Sequence, residues 1–475
     1  MTSAVLIVVC AFFACIVAAV GLFRPFLGLL VFLIIHFVQP GEMFPALAPL
    51  RIELVYAALL IGLLIFRRRG AKERSPLFTD HVLFGAFALT GAAVMSVPFA
   101  IWRGGAIATV IDLIKLIILM LLIRLMVDTE ERLRRLLWCM AAIGAWFAGS
   151  SLLGFYRGEY YHLSYNIGNL NRAQGVSSIV GGPNELAGSL LALLPLSIAL
   201  LSNTRRRLVR LLLMICLAIS LAAIALTGSR IAMVGLLTIT IFYTFQSKHK
   251  ARTVLAILLI GCSLWIWMPP EYRQRYLTVE AYATGAKLDD SNELRLKVWT
   301  ASREIFLQRP ILGVGAGQFP TGYGLIFLRG RHAAWMQPHN LLIQVACELG
   351  IVGLLAFGYF LVQIVKAIAS VLRERSESSV RMNYQVGLAC AVMLVGVLIL
   401  SAVGHTLYRP YWYLLGGMAA ANQSILRTKL KAISGQPIET VGPESSETFE
   451  HWDTAPGASG EIPLLIGQDE LRRRH

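Results

Sequence analysis

One histidine, His339, has the sequence surroundings of a general base. It lies between Pro338 and Asn340, and an apolar run begins at Leu341. Proline is favoured in the first turn of a helix, so the pattern predicts that this imidazole lies at the N-terminus of a membrane helix. The positive end of the helix dipole disfavours imidazolium, which would leave a neutral ring able to accept a proton. The alternative interpretation is an interfacial histidine that only caps the helix.

The composition indicates a membrane protein. The chain has 475 residues, 56% of them hydrophobic, and a mean hydropathy of +0.66, which is too apolar for a soluble protein. A net charge of +16 would suggest nucleic acid in a soluble chain, but here the basic clusters separate apolar runs, as the positive-inside rule predicts. We therefore expect membrane lipids around the chain and no nucleic-acid partner. The 7 cysteines lie in or beside apolar runs without CxxC spacing, so neither a zinc site nor a disulfide framework is expected.

The apolar runs predict an all-α, polytopic integral membrane protein with about 12–13 transmembrane helices. The runs are 4–23, 26–38, 53–66, 81–100, 105–127, 133–153, 184–201, 208–226, 231–246, 253–268, 341–365, 384–404 and 411–425. The first of them lacks the basic n-region of a signal sequence, so a retained helix is expected. Whether the first two runs both span decides on which side the N-terminus lies, and the sequence leaves both arrangements open.

The short basic connections are expected on the cytoplasmic side of the membrane. They are 67–74, 130–135, 205–210, 248–252 and 373–381. The alternation of helices then places on the opposite side the loops 39–52, 101–104, 154–183, 227–230, 269–340 and 405–410. The chain is thus predicted to have a membrane domain, 1–426, and a cytoplasmic tail, 427–475. The tail is rich in Gly, Pro, Ser and Glu, so it is expected to be largely disordered.

Polar residues at the outer ends of the runs are further candidates for binding. Arg172 lies in the loop 154–183, whose Tyr, Gly and Asn content suits a carbohydrate surface and equally suits any irregular loop. Asn184 and Glu185 begin the next apolar run. Arg230 ends a TGSR turn at the membrane edge, where snorkelling is the alternative explanation.

Asp112 and Lys115 lie within one apolar run, three residues apart, and so can pair on one helix face. Charged residues at membrane depth are functional candidates by default. No motif surrounds these two, so we interpret them as a structural pair.

The outer segment 269–340 contains two further patterns. Between Asn292 and Leu307 apolar residues recur at helical spacing, which predicts an amphipathic helix lying on the membrane. These apolar residues are Leu294, Val298, Ala301 and Ile305. The neighbouring Asp289 and Asp290 lack the further ligands of a metal site. The sequence GVGAGQF, 313–319, lacks the Lys and Ser/Thr of a P-loop and is interpreted as a flexible turn.

Five short sequences together resemble the O-antigen ligase and polymerase superfamily of bacterial membrane glycosyltransferases. They are NELA at 184–187, TGSR at 227–230, NELR at 292–295 with a following Trp, PILGVGAGQF at 310–319 and PHNLLIQVACELGIVG at 338–353. The resemblance extends from about residue 184 to residue 353. It implies a GT-C-like membrane glycosyltransferase of the bacterial inner membrane, whose large periplasmic loop covers the active site.

The resemblance also assigns site residues. The essential histidine of the superfamily corresponds to His339, and its two arginines correspond to Arg230 and Arg295. Arg172 corresponds to a further arginine of the diphosphate-binding group. Asn340, Glu348 and Asn184 are further candidates for a supporting role. In the favoured ligase branch, the donor is an undecaprenyl diphosphate-linked glycan and the acceptor is a sugar of lipid A-core.

The chemistry that this resemblance implies needs neither a cofactor nor a metal. Arginine's fork of donors can hold two phosphate oxygens and stabilise the leaving diphosphate. The one required proton transfer is from the attacking hydroxyl to His339, and direct displacement inverts the anomeric carbon. Three alternatives remain open: a polymerase of repeat units, a protein O-oligosaccharyltransferase of the same superfamily, and a flippase or transporter of lipid-linked glycans, although no internal repeat supports the last.

Overall fold

The computed structural model describes residues 19, 21, 23–68, 80–165, 168–283, 290–330, 336–374 and 380–434. These residues are largely helical, which confirms the predicted all-α polytopic fold. Most of the predicted span 4–23, the residue Asp289 and the tail from residue 435 lie outside the described part. The side chains of Asp290 and Arg295 also lie outside it.

The helices follow one another with short connections. In chain order they are α1 (Pro25–Val38), α2 (Pro40–Met43), α3 (Ile52–Arg68), α4 (His81–Ser96), α5 (Arg103–Met126), α6 (Glu130–Tyr156), α7 (Pro183–Ser202), α8 (Arg207–Leu226), α9 (Arg230–Gln246), α10 (Lys250–Trp267), α11 (Pro270–Ala283), α12 (Asp290–Gln308), α13 (Phe319–Gly322), α14 (Leu341–Arg373), α15 (Arg381–Ser401) and α16 (Pro410–Ile433). Short 3-10 helices cover Pro45–Leu50 and Val97–Phe99, and a π-helical turn covers Tyr323–Phe327.

Among the described residues, 8 helices are long and apolar enough to cross a membrane. They are α4 with its 3-10 extension, α5, α6, α7, α8, α10, α14 and α15. The shorter apolar helices α1, α3 and α9 coincide with three more predicted runs. The last run corresponds to α16, which continues to Ile433, past the predicted boundary at residue 426.

A two-stranded hairpin follows α6. Its strands are β1 (Tyr161–Tyr165) and β2 (Gly168–Arg172), paired antiparallel so that Tyr161 faces Arg172. The hairpin therefore ends on a residue that the sequence singled out as a binding group.

Helices α7, α15 and α16 form the buried centre of the bundle. α15 packs against α7, and α16 packs against α5. Trp412 and Tyr413 of α16 are fully buried. A polar pair joins α15 to α16. The Asn383 amide donates to Asn422 Oδ1 at 2.9 Å, and the Asn422 amide donates to the Asn383 backbone carbonyl at 2.9 Å. These two buried hydrogen bonds fix the register of the two helices.

The longest helix, α14, is broken at Gly350, whose φ of 65° is left-handed. The break deprives nearby backbone groups of their helical partners, and the segment before α13 supplies replacements. Val314 donates its N–H to the Cys347 carbonyl at 2.8 Å, and Ile351 donates its N–H to the Pro310 carbonyl at 2.8 Å. The break is therefore bridged by backbone hydrogen bonds to the segment 310–315.

The GVGAGQF sequence forms turns, as predicted, but these turns are buried and fill the break in α14. Gly313 has a φ of 66°, and a Cβ at this position would lie 2.5 Å from the Cys347 carbonyl oxygen. Further along, the Ala316 N–H donates to Ser96 Oγ at 3.1 Å. The glycines thus permit close backbone contact between this segment and α14.

The predicted amphipathic helix exists as α12, but its apolar face does not lie on the membrane. Val298, Ala301 and Ile305 are fully buried and pack in one cluster with Val314 and Phe319. The helical spacing of the apolar residues is confirmed, but their face packs against other segments of this chain instead of the membrane surface.

Candidate active site

His339 lies directly before α14, as the sequence pattern predicts, and its backbone is left-handed. Its φ of 48° is uncommon for a residue with a side chain, although histidine is enriched there relative to most residues. The next residue, Asn340, is the N-cap of α14: its Oδ1 accepts from the Ile343 N–H at 3.1 Å. Its amide also donates to the Ala402 carbonyl at 3.0 Å. The position of the half-buried histidine is thus fixed by the capped helix.

One face of α14 is hydrogen-bonded to the loop that connects α15 to α16. Asn340, Gln344 and Glu348 are spaced four residues apart and so share a helix face. Besides the Asn340 bond, Gln344 Oε1 accepts from the Leu407 N–H at 3.2 Å, and Glu348 Oε2 accepts from the Tyr408 hydroxyl at 2.8 Å. We call these three side chains the Asn340–Gln344–Glu348 row. The row holds the loop beside the N-terminus of α14.

Glu348 is itself only 1% exposed and also accepts from the Gly317 N–H at 2.9 Å. It therefore connects three segments, namely α14, the buried glycine-rich segment and the loop before α16. A carboxylate so enclosed cannot reach an acceptor hydroxyl, and its part in the site is to position other residues.

The attached loop brings a second histidine to His339. The ring centroids of His339 and His405 are 5.7 Å apart, with the rings inclined at 73°. Burial, together with the neighbouring charges of Arg409 and His339, lowers the pKa of His405 to about 4, while Glu185 acts in the opposite direction. His405 is therefore neutral at neutral pH and holds a proton too weakly to be the general base.

We expect NMR titration of the histidine-labelled protein to show His405 neutral down to about pH 4. Since this folded-state pKa lies below the usual 6.5, the neutral ring's contribution to stability is complete above pH 6.5 and is lost as the pH falls towards 4. A His405→Gln variant assigns the resonance. A midpoint near 6.5 for this resonance would show that the ring is solvated and would contradict the expected burial.

Arg409, the N-cap residue of α16, connects the loop to α7. Its Nη1 donates to the carbonyls of Ser178 and Ile179 at 3.1 and 3.3 Å. Its Nη2 lies 3.8 Å from Glu185 Oε1, in the first turn of α7. The NELA sequence and the loop after α15 therefore meet at this ion pair.

Arg172 is buried, at 5% exposure, and connects the hairpin to two other elements. Its Nε donates to the Thr227 carbonyl at 2.6 Å, and its Nη2 donates to Asn184 Oδ1 at 2.9 Å. The sequence suggested that Arg172 contacts the diphosphate. These bonds hold its guanidinium beside the first turn of α7 and the TGSR turn, and its contact with the diphosphate stays a prediction.

The TGSR turn joins α8 to α9 and is covered by α11. Gly228 has a φ of 59°, as the tight turn requires. Arg275 Nε donates to the Gly228 carbonyl at 2.7 Å, and the Tyr276 hydroxyl donates to the Ala225 carbonyl at 2.9 Å. Arg230 is the first residue of α9 and is half-buried. Arg295 lies on α12, with its side chain outside the described residues.

The N-termini of α7, α9, α14 and α16 therefore belong to one connected region. His339 contacts the ring of His405, which lies near the charge of Arg409. Arg409 pairs with Glu185 at the start of α7. The neighbouring Asn184 accepts from Arg172, which also donates to the Thr227 carbonyl in the turn before α9. Helix N-termini carry partial positive charge and free N–H groups, so the region favours an anionic ligand beside an uncharged histidine.

Three residues of this region were not identified from the sequence. His405 and Arg409 lie in the short loop between α15 and α16, and Arg275 lies in the segment 269–340, none of them in a recognisable motif. The available signal was the density of His, Arg and Tyr in HTLYRP, 405–410, between two apolar runs.

A comparison of the sequence with models of known protein families found one match. Residues 215–358 match the family model described as O-antigen ligase. The matched range contains Arg230, Arg295, His339 and Glu348, but not the NELA sequence or the loop with His405. No curated protein matches the chain.

The match covers the TGSR, NELR and PHN sequences on which the resemblance rested. The resemblance to the O-antigen ligase and polymerase superfamily is thereby confirmed for residues 215–358, and the chain is a multi-pass membrane protein that contains this segment.

Proposed function

We propose that this protein is an O-antigen ligase. It transfers a glycan from an undecaprenyl diphosphate-linked donor to a sugar hydroxyl of lipid A-core at the periplasmic face of the inner membrane. The observation that supports this best is the position of His339, at a capped helix N-terminus beside the neutral His405 and in the region that contains Arg409 and the TGSR turn.

In this proposal His339 is the general base. The acceptor oxygen attacks the anomeric carbon as its proton passes to the imidazole, and the bond from that carbon to the diphosphate oxygen breaks. The electron pair leaves with the diphosphate, so the anomeric configuration is inverted. His405 does not compete for the proton, because its lowered pKa of about 4 makes it the weaker base.

Arg230 and Arg295 hold the diphosphate in this proposal. Both belong to the matched segment, and Arg230 begins α9, whose N-terminus adds to the positive potential. Arg275, bonded to the neighbouring Gly228 carbonyl, joins this group. Arginine supplies charge stabilisation without a metal, so the reaction is expected to proceed in EDTA.

The experiment that tests the function is reconstitution of the full chain with donor and EDTA. Three acceptors are offered separately: lipid A-core, further donor glycan, and a protein with exposed hydroxyl side chains. Elongated lipid A-core supports the ligase. Growth of the donor glycan or of the protein alone would assign another branch of the superfamily, and movement of donor across the bilayer without transfer would indicate a flippase.

Periplasmic placement of the segment 269–340 gives a separate prediction. Leu307 and Lys248 are both exposed and belong to connections predicted on opposite sides. With the exposed Cys262 replaced by Ser, an impermeant maleimide should label Leu307→Cys in spheroplasts and Lys248→Cys only after lysis. The reverse labelling would invert the proposed topology.

A further inference from the structure

A second polar site lies between α1, α3 and α5. Here a cavity of about 450 Å³ is lined by Arg51, Glu53, Asp112 and Lys115, together with Glu42. This volume is within the range of ligand pockets in proteins. The diphosphate and base chemistry proposed above does not use any of these residues.

The charges of this cavity form a connected set. Lys115 Nζ lies 2.7 Å from Asp112 Oδ1 and 4.0 Å from Glu53 Oε2. Glu53 Oε1 is 2.8 Å from the Nδ1 of His36, which is 6% exposed. The predicted Asp112–Lys115 pair is thus present, as part of a larger network.

The exposure of Asp112 shows that the described protein leaves one side of this network open. Asp112 lies nine residues after Arg103, the first residue of α5, which is about 14 Å along the helix at 1.5 Å per residue. Its side chain is nevertheless 63% exposed. The same cavity is lined by Glu42 and Arg51 of the loop 39–52, which is predicted outside the membrane, so the cavity opens towards the aqueous side and favours a polar occupant.

The balance of charge indicates which occupant. Three carboxylates, Glu42, Glu53 and Asp112, line the cavity with two cations, Arg51 and Lys115. A phosphate would be repelled by the carboxylates. Sugar hydroxyls both donate and accept hydrogen bonds, and so match alternating carboxylate and ammonium groups.

A single short segment connects the cavity to the candidate active site. Glu42 Oε2 accepts from the Ser178 N–H at 2.6 Å, and Gln39 Oε1 accepts from the Ser178 hydroxyl at 3.0 Å. The carbonyl of the same Ser178 accepts from Arg409. Ser178 therefore lies between a ligand in the cavity and Arg409, the residue that pairs with Glu185 in the candidate active site.

We propose that this cavity is a carbohydrate subsite that binds an uncharged sugar unit of one of the two glycan substrates. The inference rests on the proposed function and extends it, since it places glycan recognition on α1, α3 and α5, outside the residues 215–358 of the matched domain. The glycan belongs to the donor or to the lipid A-core acceptor, and the test separates these two sources.

The test fills the cavity without changing its charge. Ala108 lines the cavity, whereas its neighbour Ile107 is 49% exposed and does not. Ala108→Phe should therefore block the subsite, and Ile107→Phe is the matched control on the same helix. Asp112→Asn keeps the shape of the cavity and removes one charge, in case the larger side chain prevents folding; thermal melting of all three variants reports folding.

Binding and kinetics are measured on the full chain in nanodiscs. The probes are core oligosaccharide released from lipid A and glycan released from the donor, each followed by saturation-transfer NMR. We expect Ala108→Phe to abolish binding of one probe and to raise KM for the corresponding substrate about 10-fold or more with little change in kcat, as loss of uniform binding does. Asp112→Asn should weaken binding of the same probe, and Ile107→Phe should leave it unchanged.

The outcomes separate this subsite from the proposed function. If the wild type transfers glycan but folded Ala108→Phe and Asp112→Asn bind both probes and keep both KM values, the subsite is refuted and the ligase stands. If the wild type transfers nothing but binds a probe that Ala108→Phe does not bind, the subsite stands and the ligase is refuted. Binding of neither probe by the wild type would also overturn the subsite and leave water as its occupant.

Discussion

Replacement of His339 by Ala is expected to lower glycan transfer by about 10²–10⁴-fold, the usual effect of removing a general base. The donor should still bind, because the diphosphate contacts come from other residues. His339 is only half-buried, so its loss removes little packing. Transfer from labelled donor to lipid A-core and retention of donor are measured on the same reconstituted samples.

The left-handed backbone of His339 calls for a second variant. Asn tolerates a positive φ better than Ala, so His339→Asn keeps the backbone while removing proton uptake. We expect both variants to be equally slow, with His249→Asn, on an exposed connection far along the chain, unaffected. Near-native transfer by His339→Asn would show that the histidine only orients the acceptor and that another group takes the proton.

Arg230→Lys is expected to reduce kcat/KM for the donor by about 10–100-fold. Lysine keeps the positive charge but loses the planar fork, and hydrogen bonds to charged groups contribute about 1.5–3 kcal/mol. Arg295→Lys should show a loss of the same order. The measurement is the initial rate of transfer at limiting donor, with the melting temperature as a check on folding.

The control for these variants is Arg205→Lys, at an exposed position between α7 and α8. It should leave the rate unchanged. If Arg230→Lys and Arg295→Lys also transfer at the native rate, neither arginine binds the diphosphate through two hydrogen bonds. Loss of rate in both, with normal melting, is the result that the proposal requires.

The sequence determined the features that depend on local pattern. Long apolar runs fix membrane helices, because a backbone in lipid must bond to itself. The period of Val298, Ala301 and Ile305 fixed the helix α12, and the Pro-His-Asn sequence located His339 before the N-cap of α14. In each case the bonds that decide the structure lie within one turn of the residue.

Only the tertiary structure decided what those elements contact. The GVGAGQF segment is buried rather than exposed, because it is hydrogen-bonded to the backbone beside the Gly350 break, about thirty-five residues later. Glu348 is buried and accepts a hydrogen bond from the Gly317 N–H. Arg172 is also buried, and it joins the hairpin to the TGSR turn by donating to the Thr227 carbonyl.

The pairing of His339 with His405 likewise joins residues 66 positions apart in the chain, through hydrogen bonds from the Asn340–Gln344–Glu348 row to the loop before α16. Such contacts depend on the packing of α14 against α15 and α16. No spacing along the chain encodes them, because each bond depends on where a distant backbone group has been placed by helix packing.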